Sequence, residues 1–222
     1  MTAWRSAGRV CLIWTPFFAS AAAARTGTVR AWEYSGTRRL NSLPDEWHSP
    51  VWTVMQAGSL GAPFAAAAVA TAARRPELAL RLARSGVTAY VLAKGVKRLM
   101  RRGRPAGLVT DLRIRGKPAT GDGFVSGHAA VSMALAYETY REFGAAAWPL
   151  PAVVAPVIAA ARVYVGAHLP LDVLGGAALG YGVCRSFALM SPTRAGTNTT
   201  RALPAIAVSA PTTMSTGTEP DR

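Results

Sequence analysis

Residues 51–73 read VWTVMQAGSLGAPFAAAAVATAA, 23 positions without a formal charge, closed by Arg74-Arg75-Pro76. A helix needs roughly 20 apolar residues to cross the hydrocarbon core of a bilayer, and this stretch reaches that length. Weaker candidates lie on both sides of it. Residues 10–24 are short and follow Arg5 and Arg9; 78–93 carry Arg81 and Arg84; 124–140 hold Glu138 near their end. Residues 145–161 are uncharged and stop at Arg162, and 171–190 carry Asp172 at the start and Arg185 near the end, where a long cationic side chain can reach the interface. The fold class expected is all-α, a polytopic membrane helical bundle with about six transmembrane helices over residues 1–190. A basic start and a small-residue run also give 10–24 the look of a signal peptide, and the retained span is the preferred reading. Residues 191–222, rich in Ser, Thr, Pro and Ala without an apolar period, are expected to be a disordered tail.

Half of the 222 residues are hydrophobic, with Ala supplying much of that, and the formal charge is +14. So basic a balance points to a polyanionic partner: nucleic acid, an anionic membrane surface or a phosphorylated substrate. No nucleic-acid recognition motif is present and the cations flank apolar runs, which leaves the membrane bilayer and phosphorylated compounds as partners, not nucleic acid. Cys11 and Cys184 both sit in apolar runs and read as buried free thiols. No Asp, Glu, His or Cys cluster has ligand spacing, so neither metal nor cofactor is expected. Residues 25–50 mix Arg with Trp and Tyr, the composition of an interfacial segment or of an ordinary polar loop. Gly176 and Gly180 form a GxxxG best explained by close packing inside one chain.

Three stretches concentrate the informative polar residues. Lys97 to Pro105 reads K-x6-R-P; Val125-Ser126-Gly127-His128 follows; Arg162 to Asp172 reads R-x5-H-x3-D, with His168 inside it. All three fall at span ends, and with six spans the loops after the third and the fifth share one membrane face. Lys97, Arg104 and Arg162 are three cations for a phosphate, and the guanidinium fork can bind oxygens bidentately. Ser126 and Gly127 open a helix whose free N–H groups form an anion site. His168 and Asp172 are four apart, so a helical turn would set them on one face. Asp172 would then accept from one imidazole nitrogen and leave the other free as a nucleophile. His128 is available as a general acid. Each piece alone has a bland explanation: a basic flank, a helix start, an ordinary helix contact. Arg98, Arg101, Arg102, Arg113, Arg115 and Lys117 are read as solvated or headgroup-facing charges, and His48 as a residue without a partner motif.

Together the three stretches resemble the signature of the type 2 phosphatidic acid phosphatase superfamily, whose pattern is K-x6-R-P, P-S-G-H and S-R-x5-H-x3-D. Lys97, Arg104 and Pro105 match the first motif, Ser126, Gly127 and His128 the second, and Arg162, His168 and Asp172 the third. Val125 stands in place of the proline and Ala161 in place of the serine; the latter change is expected to remove one hydrogen bond to the phosphate. The resemblance implies that His168 attacks phosphorus, Asp172 orients it, and His128 protonates the leaving oxygen. Lys97, Arg104, Arg162 and the Ser126–Gly127 turn would bind the phosphate. It further implies a metal-independent integral membrane phosphatase acting on a phosphorylated lipid, with the site away from the cytoplasm. A lipid-linked phosphotransferase and a non-catalytic lipid-binding protein are the alternatives.

Overall fold

Eight α-helices and no strand make up the described part of the chain, residues 2–190 of a computed structural model. In order they are α1 Thr2–Ala24, α2 Ala31–Asn41, α3 His48–Met55, α4 Gly61–Ala72, α5 Pro76–Met100, α6 Gly127–Phe143, α7 Ala155–Tyr164 and α8 Pro170–Met190. The expected tail, 191–222, lies outside the described residues.

α8 is the hub, packed by α6 on one side and α1 on another. Its glycines make this possible. Gly176 lies against the carbonyl of Ser126 and Gly180 against that of Ala130, so closely that any Cβ would overlap them. The GxxxG therefore serves packing within the chain. On the α1 side Gly182 gives room to the Trp14 ring, whose Nε1 donates to Ser186 Oγ at 3.1 Å. The core is built of small residues, with Ala89, Ala93, Ala130, Ala134 and Leu179 around Phe17, Phe124 and Val125. Ala-rich faces let helix axes approach closely, so close packing replaces bulky interdigitation.

α5 begins with Pro76 and carries Glu77 in its first turn and Lys97 and Arg98 in its last, in agreement with the helix dipole. At the end of the bundle away from Lys97, the buried Glu138 accepts from Ser85 Oγ at 2.9 Å and pairs with Arg141 at 2.9 Å and Arg81 at 3.4 Å. Arg81 and Arg75 also pair with Glu142. A charge near the end of an expected span is thus satisfied by neighbouring helices.

Several expectations change. Residues 51–73 do not form one straight helix. Gln56, Gly58, Ser59 and Gly61 interrupt the apolar run, and the helices on either side are bent by 71°. By length and composition α8 is the single described helix suited to crossing a bilayer, with two further crossings if each bent pair counts as one, the second being Gly127–Ala147 with Leu150–Tyr164 at 120°. The apolar part of α1 is short, and α5 carries too many cations for the same test. Residues 31–41 are helical and not a loop: α2 turns Glu33, Thr37 and Asn41 into the bundle and leaves Trp32, Arg38 and Arg39 exposed. Cys184 is buried as expected, but Cys11 is exposed on the outer face of α1.

Candidate functional site

The first motif is placed by the end of α5. The helix stops at Arg101, which takes φ 48° and donates its N–H to Lys97 O at 3.0 Å. This left-handed stop turns the chain so that Arg102 and Arg104 point back toward the bundle. Arg104 is held by carbonyls: Nε donates to Gly121 O at 2.9 Å and Thr120 O at 3.1 Å, Nη1 to Ala167 O at 2.7 Å, and Nη2 to Thr120 O at 2.9 Å. Lys97 Nζ reaches Asp122 O at 3.4 Å.

Ser126 is the N-cap of α6, accepting from Ala129 N at 3.4 Å, while its own N–H donates to Asp172 O at 2.9 Å. Gly127 and His128 are therefore the first two residues of a helix, where backbone N–H groups lack intrahelical partners. Gly58 packs on this turn; a Cβ there would stand 2.7 Å from the carbonyl oxygen and 3.1 Å from Cα of His128.

The third motif spans the α7–α8 connection. The carbonyl of Arg162 accepts from Ala167 N at 3.0 Å and His168 N at 3.2 Å, tying the histidine's backbone to the arginine's. Asp172 lies in the first turn of α8, and its Oδ2 accepts from Leu169 N at 2.9 Å, capping the helix start. His168 precedes the helix and does not share a helical face with Asp172, as the four-residue spacing had suggested. The connection nevertheless brings His168 Nδ1 to 3.6 Å from Asp172 Oδ2. That is longer than a hydrogen bond.

These elements converge on a cavity of about 180 Å³ lined by Lys97, Arg104, Gly127, His128, Arg162 and His168, with Tyr90, Ala93 and Lys94. Ser126 and Asp172 stand behind it, fully buried. Thus every residue singled out in the three motifs lines the cavity or directly supports a residue that does. Burial pushes the His168 imidazole down to about 4, Lys97 and Arg162 act in the same direction, and Asp172 opposes them. At neutral pH His168 is therefore a neutral imidazole. Among the described residues no group of three His, Cys, Asp or Glu is arranged to hold a metal ion.

Three departures from the sequence reading concern the surroundings. Ala161 lines a separate apolar groove of about 380 Å³ with Leu40, Trp47, Val51, Val157 and Tyr164, and is not among the residues lining the cationic cavity. Arg115 is no surface charge. It donates to Tyr164 O and Leu43 O, both at 2.8 Å, and its guanidinium lies 4.1 Å from the Tyr164 ring centroid. Arg102 is buried too, with Nη1 donating to Asp172 Oδ1 at 2.9 Å and Nη2 to Glu33 Oε2 at 2.9 Å. Glu33 escaped notice altogether; its signal in the sequence is that it is the only carboxylate between Arg25 and Pro44. By contrast Arg113 is exposed, as expected, 3.8 Å from the equally exposed Asp45.

The chain is thus a helical bundle with a cation-lined cavity that two histidines also line. Known proteins narrow that class. The PAP2 superfamily pattern matches residues 78–195, more than half of the chain, and the chain belongs to that superfamily. Two solved structures share the fold. One is the first transmembrane PAP2 type phosphatidylglycerolphosphate phosphatase from Bacillus subtilis, 21% identical, with a TM-score of 0.65 over 83% of this chain and 98% of that one. The other is LpxE of Aquifex aeolicus, 24% identical, with a TM-score of 0.63 over 70% of this chain and 93% of that one. No curated protein sequence matches the chain significantly.

Proposed function

We propose that the chain is an integral membrane phosphatase that removes phosphate from a lipid through a phosphohistidine intermediate. The observation that carries this reading is the single cavity in which Lys97, Arg104, Gly127, His128, Arg162 and His168 meet although the sequence separates them into three stretches. With Nδ1 turned toward Asp172, Nε2 of neutral His168 is left to attack phosphorus. The N–P bond forms as the P–O bond to the lipid breaks, and His128 gives its proton to the leaving oxygen. Neutral His128 then takes a proton from water, which attacks the phosphohistidine and releases phosphate and His168. Lys97, Arg104, Arg162 and the N–H groups of the α6 start neutralise the charge on the equatorial oxygens, which is the main catalytic term in phosphoryl transfer. The cations needed are side chains, so no metal takes part.

The substrate class follows from the membrane setting and from the similarity to a phosphatidylglycerolphosphate phosphatase: a lipid phosphate or diphosphate whose chain stays in the bilayer while its headgroup enters the cavity. We take α1, the broken α3–α4 pair, α5, α6, the α7 segment and α8 as six crossings; that topology would bring all three motifs to one face, the extracytoplasmic one. The test is phosphate release by detergent-solubilised protein from phosphatidic acid, phosphatidylglycerol phosphate and a polyprenyl diphosphate, with His168→Ala as the control. Release from at least one lipid is expected, and His168→Ala should abolish both that release and the trapping of radiolabelled phosphate as acid-labile, base-stable phosphohistidine. No release from any of them, or release that survives His168→Ala, refutes the reading.

A further inference from the structure

Glu33, Arg102 and Asp172 form a buried line of charge that reaches His168 from behind the cavity. They come from three separate elements, α2, the turn after α5 and the start of α8. The Arg102 side chain is 1% exposed and both carboxylates 0%. Both terminal nitrogens of the fork are engaged: Nη1 donates to Asp172 Oδ1 at 2.9 Å, and Nη2 lies 3.1 and 2.9 Å from the two Glu33 oxygens. Glu33 also accepts from Leu171 N and Arg30 N, each at 3.3 Å. Charges removed from water are costly unless paired and hydrogen-bonded, and a hydrophobic contact could join these three elements without that cost. Arg102 does not line the cavity, so it has no phosphate to bind. What it does touch is the carboxylate beside the nucleophile.

We propose that Arg102 and Glu33 are positioning residues for the reaction at His168: Arg102 holds Asp172 by Oδ1 so that Oδ2 faces the imidazole, and Glu33 sets how much of the Arg102 charge Asp172 feels. The proposal rests on the reading of His168 as the nucleophile. Its physical content is a balance of charge. His168 faces Asp172 on α8, Lys97 on α5, Arg104 in the turn after it, His128 on α6 and Arg162 on α7, with Arg102 and Glu33 behind Asp172. Asp172 alone favours the imidazolium, which cannot attack; Arg102 draws part of that negative charge away, and Glu33 limits the withdrawal. A carboxylate pinned at one oxygen also cannot rotate off the imidazole. A lysine could supply the charge but not the fork that joins two carboxylates.

The test measures single-turnover phosphoenzyme formation against pH for full-length Arg102→Gln, Arg102→Lys and Glu33→Gln in detergent, using phosphatidic acid or whichever lipid the wild type hydrolyses. Arg102→Gln should slow the reaction about 10–100-fold, as lost outer partners of active groups do, and move the acid limb up by roughly one pH unit. Glu33→Gln should move the limb down. Arg102→Lys should restore the limb but not the rate, and KM should change little in all three. A clamp that serves only the fold lowers thermal stability and leaves the limb in place, so unmoved limbs, or limbs that move the same way in Arg102→Gln and Glu33→Gln, overturn the proposal. If Arg102→Gln does not fold, Glu33→Gln decides alone: a downward shift supports the proposal and an unmoved or raised limb overturns it. A wild type that turns over lipid without forming any phosphoenzyme overturns the His168 reading itself, and the proposal with it.

Discussion

Adding one carbon at Gly58 should displace His128, the proposed general acid. Gly58 sits in the break between α3 and α4, and a Cβ there would meet His128 O at 2.7 Å and His128 Cα at 3.1 Å, where ordinary contact begins at 3.4 Å. The neighbour is backbone and cannot rotate away, so Gly58→Ala must open the gap by about 0.7 Å, the difference between those two distances. The α6 start is the softer side, because it is held by the Ser126 cap and its bond to Asp172 rather than by a full helical turn. A misplacement near 1 Å can cost about 10²-fold in rate, and overpacking of this size costs about 1–3 kcal/mol of stability. Gly95→Ala is the control: no atom lies within 4 Å of its Cβ, and it should be neutral or stabilising by up to about 1 kcal/mol. The assay is phosphoenzyme formation from two substrates, an ordinary alkyl phosphate and one with an activated leaving group that needs little protonation. Gly58→Ala should slow the first by roughly 10–10² and the second much less, because only the first needs His128. Equal losses for both, or wild-type rates for both, would refute the argument that this packing contact sets the position of the acid.

Three further outcomes are expected. kcat/KM should fall as pH drops through about 4, because His168 becomes imidazolium and cannot attack; a rate that holds or rises as pH falls below about 4 would contradict the assignment. Activity should survive excess EDTA and be inhibited by vanadate far more strongly than by inorganic phosphate, since vanadate adopts the five-coordinate geometry of the transition state; magnesium-dependent recovery after EDTA would refute the site. Arg113→Ala should be almost silent, whereas Arg115→Ala removes the guanidinium donor to Leu43 O and one of the two donors to Tyr164 O, which keeps Asn41 Nδ2, and should cost about 1–3 kcal/mol in denaturation experiments.

What the sequence revealed and what it hid divide along physical lines. Lys97, Arg104, Ser126, Gly127, His128, Arg162, His168 and Asp172 were legible because each occupies a fixed spacing within a short stretch, and short stretches at helix ends keep their geometry locally. Arg102 and Arg104 differ by two positions in one basic run. Nothing local says that one meets Glu33 and Asp172 while the other meets loop carbonyls, because the carboxylates arrive from residues 69 and 70 positions away. Arg115 is the same case, its acceptors coming from residues 43 and 164. Helical character was legible from apolar composition. The break at Gln56–Gly58 was not, since a run of Ala, Gly and Ser has the hydropathy of a span whether or not another helix end wedges against it.

The anchoring of Arg104 bears on how tightly any phosphate can be held. Its Nε and both terminal nitrogens already meet the carbonyls of Thr120, Gly121 and Ala167, while each terminal nitrogen keeps a second N–H. The rotamer freedom of this long side chain is thus lost when the protein folds, not when a headgroup arrives. Such a guanidinium would meet an incoming anion without rearranging and release it without collapsing, which suits the proposed release of inorganic phosphate after every cycle.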